Sequence, residues 1–458
     1  MESFRLVQRP IRTVLAAVAV AAVVGGGASA PALAGNQSGD SIDLVSITPG
    51  GVGGDGESAA GTQKGLGVSA HGRYVVFSSY ATDLVPGDTN GQRDVFVRDL
   101  VRGRTTRVSV GDGGVQGNGE SREGSISADG RYVAFTSFAS NLVPGDTNGG
   151  EGDVFLRDLK TGRTTLVSVG SQGQGNLSSI GSEISADGSH VAFTSAATNL
   201  VAGDTNDTQD VFVRDLRTRR TERVSVSSDG GQLDVFSNLS AISGNGSLVA
   251  FGTPAELVPV PPSPPSTDII LYVRDRTAHK TRPVSLGATH DPRSIIVEAA
   301  YPSFSNDGRY VVFTQISWLG VGIDPIPNVW LRDLRTNRLQ LISADAQGKP
   351  STAVGPVFRS GVSADGRYVT FSTPALLTSG DSGILADVFR LDRKTGSLVW
   401  ITRAQDQTDP FGGRIGSVGP AISADGQHVA FESDDKQLAA GGGMFGRDTY
   451  LWNAVRPR

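Results

Sequence analysis

Cysteine is absent from the 458 residues, which excludes thiol nucleophiles, disulfides and Cys-ligated zinc or iron–sulfur centres. Histidine is nearly as scarce. The five, His71, His190, His279, His290 and His428, are too few and too dispersed for a His-rich metal centre. There is no excess of positive charge (net −5), so the basic footprint of a nucleic-acid binder is missing. Apart from the first residues, no apolar run is long enough to cross a membrane. What is present is glycine, 60 residues, together with a 38% apolar fraction that recurs in short, strand-like runs. That combination describes a folded, turn-rich β protein, not a disordered chain.

The amino-terminal segment reads as an address. Arg5, Arg9 and Arg12 precede a small-residue apolar run from Val14 to Ala30, and Ala32-Leu33-Ala34 has the form of a cleavage site. This is the layout of a secretory signal peptide over residues 1–34; the Ala/Gly-rich run is short for a membrane span. Its removal takes out three Arg and one Glu and moves the net charge from −5 to −7. The expected product, residues 35–458, is exported to the periplasm or the extracellular space, has no membrane span and acts as a monomer.

One unit is repeated along almost the whole chain. The phrase Ser-Ala-Asp-Gly-Arg-Tyr-Val-x-Phe recurs in degraded forms, with its glycine at Gly72, Gly130, Gly188, Gly246, Gly308, Gly366 and Gly426. Within a unit the order is fixed, as in Gly124–Ser127, an Asp129-Gly130 turn, Tyr132–Thr136, a loop with Gly145-Asp146-Thr147-Asn148, then Asp153–Asp158, a Thr161-Gly162 turn and Thr165–Val169. Each run is short, β-branched or aromatic and bounded by Gly, Asp or Asn, which is a strand signature. Four antiparallel strands repeated seven times predict an all-β, seven-bladed β-propeller. Two aromatic columns supply apolar bulk to both faces of each blade. The second strands carry Phe77, Phe135, Phe193, Phe251, Phe313, Phe371 and Phe431, and the third strands Phe96, Phe155, Phe212, Tyr272, Trp330, Phe389 and Tyr450. The last unit ends after its third strand, and a fourth-strand pattern, Asp43–Ile47, stands instead near the start of the chain. The amino-terminal strand is therefore expected to complete the last blade and close the ring.

The best-kept copy of the phrase, Ser127-Ala128-Asp129-Gly130-Arg131-Tyr132-Val133-Ala134-Phe135, resembles the Ser-Pro-Asp-Gly-x-x-Ile-Ala-Phe core of TolB-type, WD-like propeller repeats. The likeness spans about residues 40–453 and implies a propeller. It says little of function, because such repeats serve both periplasmic scaffold proteins and the gating domains of serine peptidases. The sequence departs from both. It is expected to lack both the α/β domain that precedes the propeller in TolB and the hydrolase domain of the peptidases.

Residues present in every unit point to structure before chemistry. One Asp/Asn column precedes the third strand, from Asp94 to Asp448, and a second ends it, from Asp99 to Asn453; both are expected to bond nearby backbone amides in turns. A sharper reading is calcium. Asp88, Asn90 and Asp94 in blade 1, Asp146, Asn148 and Asp153 in blade 2, and Asp204, Asn206 and Asp210 in blade 3 place several oxygens on short, Gly-permissive loops, as hard cations require. The third acid and terminal Glu of an EF-hand are missing, and Asx turns are the alternative. Gly380-Asp381-Ser382-Gly383 matches a trypsin-like nucleophile string but occupies the slot of Gly145–Asn148, so it reads as a degraded loop copy without a histidine to serve it.

Loop length separates two faces. The first-to-second and third-to-fourth turns are tight and rich in Arg, whereas the second-to-third and blade-to-blade loops are long, variable and mainly acidic, including Asp88, Glu120, Glu123, Asp146, Glu183 and Asp204. Long loops on a rigid frame usually carry binding. Blade 4 replaces its loop with the Pro-rich Val258–Pro265, including Pro259 and Pro261, and blade 5 inserts Ile316–Val321 around Trp318 and Leu319. These four residues are candidates for an apolar partner site. The expected function is a non-catalytic, exported binding or scaffold module for a protein or cell-envelope ligand, with no nucleic-acid partner. The alternative is an enzyme acting in the central tunnel, on a glycan or lactone, with or without calcium.

Overall fold

The computed structural model describes residues 33–34, 39–58, 66–257, 269–286, 296–318, 326–344, 348–353, 359–375, 377–378, 385–403, 416–443 and 446–454. They form seven four-stranded antiparallel sheets, one for each repeat unit. Blade 2 shows the pattern: Ser121–Ile126, Tyr132–Ser137, Asp153–Asp158 and Arg163–Leu166 pair in sequence order. Apart from one 3-10 turn at Asp112–Gly114, the described residues contain no helix. The all-β, seven-bladed propeller expected from the repeat is the fold found. The ring also closes as expected. Ser41–Leu44 pairs antiparallel with Asp448–Asn453, register Ser41↔Asn453 to Leu44↔Tyr450, and supplies the fourth strand of blade 7. Leu33–Ala34, at the end of the expected signal peptide, adds a short parallel pairing to Leu398–Val399 at the edge of blade 6.

The repeated phrase can be read atom by atom in blade 2. The Ser127 hydroxyl accepts the Tyr132 amide at 3.0 Å and donates to Asp129 at 2.6 Å, while Gly130 N donates to Ser127 O at 2.9 Å. Together these bonds make the tight hairpin. Arg131 then forks onto Asp158, with Nε at 3.1 Å and Nη2 at 2.7 Å, tying the turn to the end of the third strand in the bidentate geometry that favours Arg. Val133 and Phe135 enter the core with no exposed surface.

The same turn joins blades to one another. Ala70 N donates to Ala128 O (3.0 Å) and Ala128 N to Ala186 O (2.9 Å). Asp187 N then donates to Gly244 O (2.9 Å), Gly244 N to Asn306 O (3.1 Å), Asn306 N to Ala364 O (3.0 Å) and Ala364 N to Ala424 O (2.9 Å). Asp425 N returns to Ala70 O at 3.3 Å. Seven bonds thus make a closed circuit of backbone. Beside each link the first residue of a second strand lies on the turn glycine of the next blade: Tyr74 on Gly130, Tyr132 on Gly188, His190 on Gly246, Leu248 on Gly308, Tyr310 on Gly366, Tyr368 on Gly426, and His428 on Gly72. The glycines are needed twice over, for φ near +70°, where a Cβ is strained, and for the space that the neighbouring ring takes.

The apolar core lies between blades, not within one. The two aromatic columns are direct cross-strand partners, Phe135 opposite Phe155 and Phe193 opposite Phe212, with ring centroids 5.7 and 5.8 Å apart. Seven buried clusters each combine residues of two adjacent blades. One, for example, joins Val154 and Val167 of blade 2 to Val191, Phe193 and Phe212 of blade 3, and another joins Leu451 of blade 7 to Phe77 and Phe96 of blade 1. In blade 5 the expected loop insertion begins instead as longer strands, Ile296–Phe304, Tyr310–Trp318 and Ile326–Asp333, and Ile316 is buried within them.

These contacts set up a paired test. Gly87 has φ +75° with nothing near its missing Cβ, so Gly87→Ala should cost only the left-handed strain, about 1–2 kcal/mol. Gly130→Ala adds a collision with the Tyr74 ring and should cost about 1–3 kcal/mol more. Urea unfolding of both variants measures the difference; equal costs would remove the turn glycine from the blade interface.

Candidate functional site

The column at the start of the third strand is buried and bonds across the blade. The Ser168 hydroxyl donates to Asp153 at 2.6 Å and accepts the Val154 amide at 3.2 Å. Ser225 does the same with Asp210 and Val211 (2.5 and 3.0 Å), and Ser109 joins Asp94 and Val95 in the same manner. In blades 1 to 3 the local turn capping expected for this column therefore gives way to a tertiary bond from the fourth-strand side, whereas Asp448 in blade 7 makes both, accepting Gly443 N at 2.8 Å and the Ser46 hydroxyl at 3.1 Å. The second column keeps the expected role. Asp158 Oδ1 accepts Lys160 N at 2.9 Å and Thr161 N at 3.3 Å, and Asp215 accepts Arg217 N and Thr218 N at 2.9 and 2.8 Å.

The nine calcium candidates fall into three loops that are not equivalent. In blade 1, Arg107 Nη1 stands between the carboxylates, 2.9 Å from Asp88 and 3.5 Å from Asp94, while Gln116 donates to Asp88 and Asn90 to Asp94. In blade 3, Arg223 Nη1 lies 3.0 Å from Asp204 and 3.2 Å from Asp210, with Gln232 and Asn206 in the matching roles. A cation in either loop would have to displace a guanidinium. Blade 2 has Leu166 at the register position of those arginines. There the Gln174 amide bridges Asp146 and Asp153 at 2.8 Å each, and Asn148 donates to Gly175 O at 3.2 Å. Blade 2 is thus the loop whose donor set fits a hard cation best. Among the described residues no group of three or more His, Asp or Glu side chains is gathered in metal-binding geometry.

Burial governs the ionisation of this column. It pushes the Asp94 and Asp153 carboxyls up to about 6 and raises Asp210 as well. The Arg131 fork acts oppositely and holds Asp158 down to about 2.

Of the apolar candidates, Pro259, Pro261 and Leu319 lie outside the described residues, as do Gly380–Gly383 and His290. Trp318 ends the second strand of blade 5 opposite Ile296. Among the described residues seven large apolar side chains are exposed, and six of them, Val52, Tyr80, Val115, Leu177, Val235 and Phe236, occupy second-to-third or blade-to-blade loops. Val101, in a third-to-fourth turn, is the exception. The long-loop face therefore carries apolar as well as acidic groups. Two of the acids assigned to it belong elsewhere: Glu123 and Glu183 are in first strands. Glu123, at φ +59° in a bulge, accepts Gly181 N of the next blade at 2.7 Å and the Thr136 hydroxyl at 2.9 Å.

Glu183 belongs to a site that sequence reasoning missed. First strands of six blades line a central cavity. Its wall includes Gly67, Ser125, Glu183, Ser303, Gly361 and Ala421, each five residues before a turn glycine, and the apolar Val68, Ile126, Ile184, Val362 and Ile422 that follow five of them. Arg359 of blade 6 reaches across. Its Nη2 lies 3.6 Å from Glu183 Oε1 of blade 3, and its Nη1 donates to Leu66 O of blade 1 at 3.4 Å. The available signal was the repeat itself: the column five before the glycine reads Gly67, Ser125, Glu183, Ala241, Ser303, Gly361, Ala421, with a single charge.

No family model matches the chain, and no curated protein matches it. Solved structures do. The oligogalacturonate lyase from Vibrio parahaemolyticus aligns over 90% of this chain and 97% of its own, with 13% identity and a TM-score of 0.52. The β-propeller domain of the Trilobed protease from Pyrococcus furiosus aligns over 88% and 95%, with 10% identity and a TM-score of 0.50. TolB from Acinetobacter baumannii aligns over 76% and 64%, with 14% identity and a TM-score of 0.40. At these identities the likeness shows the fold alone, and it is the propeller fold that the resemblance to TolB-type repeats implied.

The raised carboxyl of Asp153 has a signed consequence. Between its unfolded value of 3.8 and its folded value of about 6, the native state holds the extra proton, so this group's contribution to stability falls as pH rises through that window. Asp153→Asn removes the dependence. Relative to wild type, the variant should gain about 2–3 kcal/mol on moving from about pH 4 to about pH 7.5, measured by urea unfolding at the two pH values. A pH-independent difference would show that Asp153 is ionised throughout.

Proposed function

We propose that this is an exported, non-catalytic binding propeller that engages a protein or cell-envelope ligand through its long-loop face. The observation that carries the reading is that, among the described residues, six of the seven exposed large apolar side chains lie on that face, where long loops on a rigid frame carry binding. Pro259, Pro261, Trp318 and Leu319 remain part of this proposal as apolar candidates drawn from the sequence of blades 4 and 5. Export rests on the signal-peptide pattern of residues 1–34; among the described residues no helix is long and apolar enough to cross a membrane. Calcium enters this proposal at blade 2 only, where Asp146, Asn148 and Asp153 have no arginine between them.

A second reading, an enzyme working in the tunnel on a glycan or lactone, draws support from the convergence of Glu183 and Arg359 in the cavity. The test that separates the two combines capture with turnover. A triple change, Leu177→Ser, Val235→Ser and Phe236→Ser, should leave the melting temperature intact and reduce capture of an envelope partner by about tenfold or more. Undiminished capture, or turnover of any member of a glycan panel by the wild type, would contradict the proposal. Melting with EGTA and then millimolar calcium tests the blade 2 site. A rise of several degrees that Asp146→Asn abolishes is the expected result; no rise would leave the loop a hydrogen-bonded turn.

A further inference from the structure

We infer that the central cavity is a binding site for a small carboxylate that also carries hydroxyl or amine donors, with Arg359 as its anchor. This inference does not rest on the loop-face reading. It begins with how the repeat is broken. In the columns five and seven residues before the turn glycine, Glu183 and Arg359 are the acid and the cation that meet in the cavity; the neighbours of Glu183 in its column are Gly, Ala or Ser. Glu123, which also stands seven before its glycine, is taken up by Gly181 N and the Thr136 hydroxyl, whereas the circuit of turn bonds and the seven interblade cores use neither Glu183 nor Arg359.

The geometry suits an exchangeable partner. The guanidinium is held at 3.6 Å from Glu183 and 3.4 Å from Leu66 O, longer than the 2.7–2.9 Å or so of a settled Arg–carboxylate fork. Both side chains keep part of their surface open, 19% for Arg359 and 14% for Glu183. A ligand carboxylate can therefore take the fork while Glu183 turns to accept a donor from the same molecule. Apolar walls at Val68, Ile126 and Ile184 lower the local dielectric and strengthen such a bond. The charge balance selects the class: Glu183 repels any anion, least a monoanion that also offers it a donor and most a phosphate dianion. A sugar acid and a peptide carboxy-terminus share this chemistry.

Isothermal titration with glucuronate and with dialanine, each against its neutral counterpart (glucose and dialanine amide), distinguishes the two sources. At least one carboxylate should bind and its neutral counterpart should not. Arg359→Gln should weaken binding about tenfold or more, and Glu183→Gln, which removes the competing charge and keeps an acceptor, should bind the carboxylate at least as tightly as wild type. If Arg359→Gln fails to fold, Arg359→Lys, which retains the charge without the fork, should still weaken binding severalfold. Absence of carboxylate binding to both wild type and Glu183→Gln would overturn the inference. So would equal binding of the neutral counterparts, or undiminished binding by a folded Arg359→Gln.

Discussion

Each blade is fastened to the next at the turn between its first two strands, and the rest of the structure depends on that turn. The serine hydroxyl closes the hairpin, the following amide bonds to the neighbouring turn, and the glycine leaves room for an aromatic, histidine or leucine side chain from the preceding blade. A few residues thus fix a hairpin and an interface together. Repetition then makes a ring, because the seventh link returns from Asp425 to Ala70.

The burial pattern follows from this. A single four-stranded sheet has two apolar faces and cannot hide either by itself, so the buried clusters form between blades. In a repeat array of this kind stability is largely a sum over interfaces, and an open ring would leave two faces and a strand edge uncovered. Pairing of Ser41–Leu44 with Asp448–Asn453 joins the two ends of the chain in one sheet and covers that edge.

Much of the fold was legible because its causes are local or periodic. The Ser-Ala-Asp-Gly phrase specifies its own turn, the alternating apolar runs specify strands, and the aromatic columns proved to be direct cross-strand partners. The displaced fourth strand, found at Ser41–Leu44, could be read from the pattern at Asp43–Ile47, two residues further on, because that pattern recurs in the other units. Contacts between blades were hidden. Nothing near Tyr132 in sequence shows that it lies on Gly188, and nothing near Asp153 shows that Ser168 reaches it. The calcium candidates looked alike because the residue that distinguishes them, Arg107 or Arg223 against Leu166, stands on another strand. Arg359 and Glu183 come from opposite sides of the ring, and only a column-by-column comparison would have isolated them.

The functional picture is a rigid ring with a patterned rim and a charged centre. Its tight-turn face is consumed by Arg–Asp forks that maintain the hairpins, whereas the long loops and the cavity hold the side chains that structure does not claim. All of this presupposes that the ring is closed by its own amino-terminal strand. Thermal melting of the protein with residues 36–48 deleted, against the intact chain, tests that claim most directly. Closure by this strand predicts a fall of several degrees, with new exposure of the Asp448–Asn453 edge to hydrogen exchange. An unchanged melting temperature and an equally protected edge would contradict it.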